Sequence, residues 1–225
     1  SATANTDESE YSIDIKNAGI QGGIKELSIA VWSAEDGQDD LVWYNAQKIS
    51  SGIWNGKVQI SRHRTKGLYY VDVYAVASSG NLVCLGSTTF NVSGISAEAI
   101  GIVNQNDNKG QFDIVIKNVE AKAGIKQITV PVWSKADQSD IYWYEATKTS
   151  DGNYIVHADI ANHKYNYGNY NVDVYGTTYT EIQSFLGRTN VDIKVPKAII
   201  SATANTDESE YSIDIKNAGI QGGIK

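Results

Sequence analysis

One cysteine, no methionine, three histidines and three phenylalanines occur in 225 residues. A single cysteine, Cys84, excludes an intramolecular disulfide. It lies in the apolar run Leu82, Val83, Cys84, Leu85 and reads as a buried, inert thiol. The lack of methionine, even at position 1, points to a piece of a longer or processed protein. No stretch approaches the roughly 20 apolar residues of a transmembrane helix, and no signal peptide is present, so a membrane is not an expected partner. Basic blocks are missing too, and the formal net charge is −7. Polyanions should be repelled, which excludes nucleic acid and weighs against bare teichoic-acid phosphates. A neutral glycan or a partner protein fits better.

Catalytic chemistry is equally thin. There is no Gly-rich phosphate loop, no Cys/His cluster and no G-x-S-x-G turn, so neither metal nor cofactor is expected. His63 and His163 each stand without an obvious partner base and read as fixing a turn. His157 reads as a surface residue. Asp39 and Asp40 could suggest a glycosidase pair, but Ser139 stands at the second site of Asp39. The run Asp36–Asp40 lacks the length and the distal glutamate of a calcium loop and reads as a turn. No catalytic residue is expected.

What is present is repetition. Residues 1–25 recur unchanged at 201–225, and a diverged copy lies about halfway between. Val31–Ser33 (VWS) returns at Val132–Ser134, and DLVWYNA at Asp40–Ala46 returns as DIYWYEA at Asp140–Ala146. GLYYVDVY at Gly67–Tyr74 returns as GNYNVDVY at Gly168–Tyr175, and Leu85–Gly86 returns as Leu186–Gly187. A period of about 100 residues is domain-sized, too long for a solenoid. The expected domains are 1–98, 99–198 and a partial third, 199–225, with short linkers at Ser93–Ala99 and Pro196–Ile200.

Within each copy the apolar period is two. Tyr11, Ile13 and Ile15 alternate with polar residues, as do Leu27, Ile29 and Val31, and Tyr69, Val71 and Val73. Phe112, Ile114 and Ile116, then Ile128, Val130 and Val132, then Tyr170, Val172 and Val174 repeat the pattern. Short alternating runs split by Gly, Asn and Asp predict an all-β chain of tandem antiparallel β-sandwiches, immunoglobulin- or fibronectin-like. Tyr69 and Tyr170 open strands after a glycine turn, which suits a tyrosine corner. Trp43 and Trp143 are expected in the core.

Strand alternation then sends Trp32, Tyr44, Asp72 and Tyr74 to the outer surface, and likewise Trp133, Tyr144, Asp173 and Tyr175. Aromatic rings with polar edges beside a carboxylate suit glycan contact, the ring stacking on a sugar face. The same rings could instead pair across strands for stability. The third copy supplies a first strand without the rest of a sandwich. Its identity to residues 1–25 suggests head-to-tail strand exchange between chains.

These motifs, taken in order, resemble the GBS Bsp-like repeat. The features are VWS, an acidic turn into D-[LI]-x-W-Y-x-A, and H-x-x-x-G-x-Y-x-V-x-V-Y, with one residue more between His163 and Gly168. Gly52-Ile53-Trp54 faces Gly152-Asn153-Tyr154, and position 110 also differs from its partner, so the loops differ in specificity. The resemblance implies a secreted, wall-associated accessory module of a peptidoglycan hydrolase or autolysin, with catalysis elsewhere. It implies binding to peptidoglycan or another wall polysaccharide; a stalk or an adhesin repeat is the alternative.

Overall fold

The computed structural model describes residues 1–35, 37–217, 219 and 222. Asp36 of the acidic turn and most of 218–225 lie outside them. The first repeat holds seven strands: β1 (Ala2–Ala4), β2 (Glu10–Ile15), β3 (Ile24–Ser33), β4 (Val42–Ser50), β5 (Ile53–Gln59), β6 (Gly67–Ala77) and β7 (Leu82–Val92). They form one antiparallel sheet in the order β1-β2-β5-β4-β3-β6-β7. The sheet folds over itself. Tyr11 of β2 stacks on Phe90 of β7 at 4.1 Å, and its hydroxyl donates to the Asn91 carbonyl at 2.6 Å.

The fold line runs along β4. Its first half pairs with β3, through Val31↔Val42 to Leu27↔Ala46, and its second half pairs with β5. Glycine is needed opposite this corner. A Cβ on Gly56 would lie 2.1 Å from Ile29 Cδ1, and a strand glycine often marks such a close approach.

The second repeat solves the same problem by breaking the strand. It comprises β8 (Ala99–Asn106), β9 (Gln111–Lys117), β10 (Ile125–Trp133), β11 (Tyr142–Glu145), β12 (Thr147–Lys148), β13 (Tyr154–Asp159), β14 (Gly168–Thr178) and β15 (Gln183–Ile193). β11 and β12 together correspond to β4, and the gap at Ala146 separates two sheets, β11-β10-β14-β15 and β12-β13-β9-β8. The chain is all-β, with antiparallel layers of the immunoglobulin/fibronectin kind.

The alternating side chains build the cores. Ile13, Ile29, Val31 and Val71 in the first repeat, and Ile114, Ile116, Ile128, Val130 and Val172 in the second, are fully buried. Each such aliphatic side chain stabilises by about 1.5–3 kcal/mol relative to exposure. Both tyrosine corners form: the Tyr69 hydroxyl donates to the Thr65 carbonyl at 2.8 Å, and Tyr170 donates to Asn166 at 2.6 Å.

Two placements differ from expectation. Trp43 and Trp143, expected in the core, are 47% and 58% exposed. Residues 41–44 are apolar at every position, so period two alone cannot fix which parity faces inward. The register Ala30↔Trp43 and Ile29↔Tyr44 shows that it is Tyr44 that turns to the core. Cys84, expected buried, is exposed. β7 carries a bulge: Val73 pairs with Gly86 but Tyr74 with Cys84, so Leu85 is the extra residue. A bulge flips the parity beyond it, which moves Cys84 to the outer side. Gly86, at φ 148°, supplies the unusual backbone.

The chain divides into two compact units: Ser1–Ser96 with Glu120–Gln127 and Tyr175–Leu186, and Ala97–Val119 with Ile128–Val174 and Gly187–Lys225. In the first, the nearly buried Glu8 carboxylate accepts from Ser93 N at 2.9 Å and Lys122 Nζ at 2.8 Å. In the second, β16 (Ile199–Ala204) and β17 (Tyr211–Lys216) form a hairpin, not a lone strand. Its register, Ala202↔Ile213, repeats the Ala2↔Ile13 register of β1 and β2. The burial does not repeat: Tyr11 and Ile13 are 4% and 0% exposed, whereas Tyr211 and Ile213 are 61% and 57%. Among the described residues no helix is long and apolar enough to cross a membrane.

Candidate functional site

A polar chain runs inside each repeat. Ser33 follows Trp32 at the end of β3, and its backbone N–H donates to Asp40 Oδ1 at 2.8 Å. Asp40 Oδ2 faces His63 Nδ1 at 3.4 Å, and His63 Nε2 meets the Tyr44 hydroxyl at 2.9 Å. The edge of His63 also packs on Tyr69, with centroids 5.2 Å apart. In the second repeat His163 Nε2 meets the Tyr144 hydroxyl at 3.0 Å, and Nδ1 meets the Asp140 carbonyl at 2.9 Å. Asp140 also accepts from Ser134 N at 3.1 Å and Lys135 N at 3.0 Å.

Burial tunes these groups. It pushes the Tyr44 hydroxyl up to about 12 and holds both His63 and His163 below the ordinary histidine value, against the raising influence of Asp40 and Asp140. Burial also pushes the Asp140 carboxyl up, but donors from Ser134, Lys135 and Asn166 outweigh it and bring the group to about 2. His63 and His163 are 1% and 0% exposed. A neutral imidazole sealed between a tyrosine and an aspartate orients a turn.

Tyr44 and Tyr144, expected on the outer surface, therefore belong to the interior. Tyr44 is 7% exposed and Tyr144 is half-buried, each ring turned to its histidine. The physical reason is the hydroxyl: inside, it has a histidine and a carbonyl as partners, Gln59 at 3.2 Å in the first repeat.

The outer surface of the first repeat carries the accessible aromatics. Trp43 on β4 and Tyr74 on β6 lie on either side of β3, with ring centroids 5.5 Å apart. They meet because β3 presents small residues between them, Ser28 beside Tyr74 and Ala30 beside Trp43. Trp32 pairs with Tyr70 across β3 and β6, with centroids 5.7 Å apart. Asp72 sits in the same cross-strand row as Trp43, beside Ala30 and Ser87, and accepts from the Tyr74 hydroxyl at 3.4 Å. Trp32, Asp72 and Tyr74 thus lie on one face together with Trp43 and Tyr70. Tyr70 was missed in the sequence, although strand alternation two residues before Asp72 puts it on the same face. Trp43 needed the register.

The second repeat departs here. Arg188 stands where the first has Ser87, and it grips Asp173 with two bonds, Nε to Oδ1 at 2.5 Å and Nη2 to Oδ2 at 2.8 Å. Its guanidinium also lies 5.9 Å from the centre of the Trp133 ring. Trp133 and Asp173, expected to be displayed, are 8% and 5% exposed. A planar cation that satisfies a carboxylate and covers an indole closes the surface its counterpart leaves open. Tyr175 remains half-buried, its ring 5.3 Å from Phe185. Trp143 stays well exposed.

The repeated motifs separate into two sets. Ser33, Asp40, Tyr44, His63 and Tyr69 hold the interior; Trp32, Trp43, Asp72 and Tyr74 are presented outward. Among the described residues no group of His, Cys, Asp and Glu could hold a metal ion.

The chain spans 30% of a polysaccharide deacetylase from Bacillus cereus, matched over 44% of this chain at 11% identity and a TM-score of 0.38. It spans 51% of a tetra-tandem repeat from the extending region of a large adhesion protein, over 92% of this chain, at 14% identity and a TM-score of 0.38. A two-domain fibronectin type III segment of chicken tenascin is matched over 96% of its length and 85% of this chain, at 9% identity and a TM-score of 0.36. No curated protein matches the sequence. The family model of the GBS Bsp-like repeat matches residues 1–90 and again 101–191. Two matches in tandem over most of the chain give its family: this protein belongs to the GBS Bsp-like repeats.

Proposed function

We propose that the chain is a non-catalytic, extracellular binding module that holds a secreted wall hydrolase at the bacterial surface by gripping a neutral glycan, either peptidoglycan or an attached polysaccharide. The observation that carries this reading is Trp43, an indole nearly half exposed, set 5.5 Å from the Tyr74 ring and in the same cross-strand row as Asp72. Sugar rings stack on such surfaces while nearby polar groups bond their hydroxyls. The net charge of −7 favours an uncharged ligand over a polyanion. Burial of both turn histidines supports a role without catalysis.

Sedimentation of the full chain with purified walls, stripped of protein and teichoic acid, tests the reading. Co-sedimentation that is lost in Trp43→Ala supports it. A chain that stays in the supernatant under all conditions refutes it and favours a spacer. The closed surface around Asp173 and Arg188 favours that second reading for the second repeat.

A further inference from the structure

Beside Trp43 the surface of the first repeat is concave. A recess of about 340 Å³ opens over β4 and β5, lined by Trp43, Asn45, Gln47, Asn55, Lys57 and Arg62. Alternation along both strands brings these side chains to one side, since Gln47 pairs with Asn55. The size is at the small end of ligand sites.

Its chemistry is that of hydroxyl recognition. The side chains of Asn45 and Gln47 make no hydrogen bond among the described residues, so both carboxamides keep a donor and an acceptor for a ligand. Asn55 spends its amide hydrogens on Ser12 Oγ at 2.6 Å and Asp14 Oδ1 at 2.8 Å, which fixes the group and leaves its carbonyl oxygen to accept. Lys57 is paired with Glu10 at 2.5 Å. The Arg62 guanidinium lies 4.9 Å from the centre of the Tyr44 ring. Glu10 thus balances Lys57, while the Arg62 guanidinium rests against an aromatic ring at the margin of the recess.

The second repeat does not reproduce it. Glu145, Thr147, Ile155, His157 and Asn162 stand where the first has Asn45, Gln47, Asn55, Lys57 and Arg62. All three carboxamides and both cations are replaced, and His157 is engaged by Asp113 at 2.6 Å.

We infer that the two repeats are unequal, and that the first alone carries a saccharide subsite, taking one neutral pyranose in the β4–β5 recess with Trp43 as its wall. The rest of the glycan then runs across Trp43 onto Tyr74 and Asp72, which rests on the wall-glycan reading above. The second repeat serves as a spacer.

The test uses the full chain and the same stripped walls, with thermal midpoints measured on every variant to confirm folding. Trp43→Ala and the double change Asn45→Ala with Gln47→Ala should each weaken binding about tenfold or more, as loss of a central contact does. Trp143→Ala should stay within about twofold of the parent. If Trp143→Ala weakens binding as much as Trp43→Ala, or the double amide variant binds like the parent, the subsite is overturned while wall binding stands. If the parent itself does not bind, the wall-glycan reading fails and takes the subsite with it.

Discussion

Neighbouring residues on β4 should separate stability from binding. Tyr44→Phe removes a hydroxyl that faces His63 Nε2 at 2.9 Å inside the protein. It should cost about 1–3 kcal/mol, the penalty of leaving a buried polar atom unpaired, and leave wall binding unchanged in the folded fraction. Trp43→Ala should do the reverse. Urea denaturation combined with sedimentation checks both. The histidines add a pH dependence. Their folded-state values lie below the ordinary 6.5, so as pH falls below that value the unfolded chain takes up protons that the folded chain refuses. Stability is then lost progressively with acidification. The thermal midpoint should drop between pH 7.5 and 5.5, and His63→Phe with His163→Phe should flatten that slope. The turn role of these histidines could be read from their place before the Gly-Tyr corner. The interior site of Tyr44 could not, because both parities of residues 41–44 are apolar and the deciding partner, His63, lies 19 positions away.

At the level of the strand, the bulge in β7 governs what faces outward. Cys84 should react quantitatively with a soluble thiol reagent in the native protein, at the rate of an unfolded control. Deleting Leu85 would remove the extra residue and leave Cys84 opposite Tyr74 on the outer side, so native labelling should persist. Such a bulge leaves only Leu-Gly in the sequence, repeated at Leu186–Gly187. Its geometry is invisible until Val73↔Gly86 is seen next to Tyr74↔Cys84. The alternating strands β2, β3, β6, β9, β10 and β14 were plain from their period, because each has one face in the core. The closed surface of the second repeat was hidden because Arg188 lies 15 residues from Asp173 and nothing local marks it as that carboxylate's partner.

For the whole molecule, the β16–β17 hairpin bears on association. If the tail of one chain displaced the β1–β2 hairpin of another, the hairpin driven out would show the same apolar side chains to solvent. Every swap, in a line or a closed ring, uncovers one hairpin for each it covers, while joining two molecules still loses translational freedom. The intact chain should therefore sediment as a monomer at micromolar concentration. Removing residues 1–17 changes the balance, since the edge of β5 is then empty and a neighbour's tail, identical in sequence, can fill it. That truncated form should assemble into chains whose length rises with concentration, as analytical ultracentrifugation would reveal. The hairpin thus behaves like an interchangeable coupling: inert while every socket holds its own plug, and a polymerising joint once a socket is vacant.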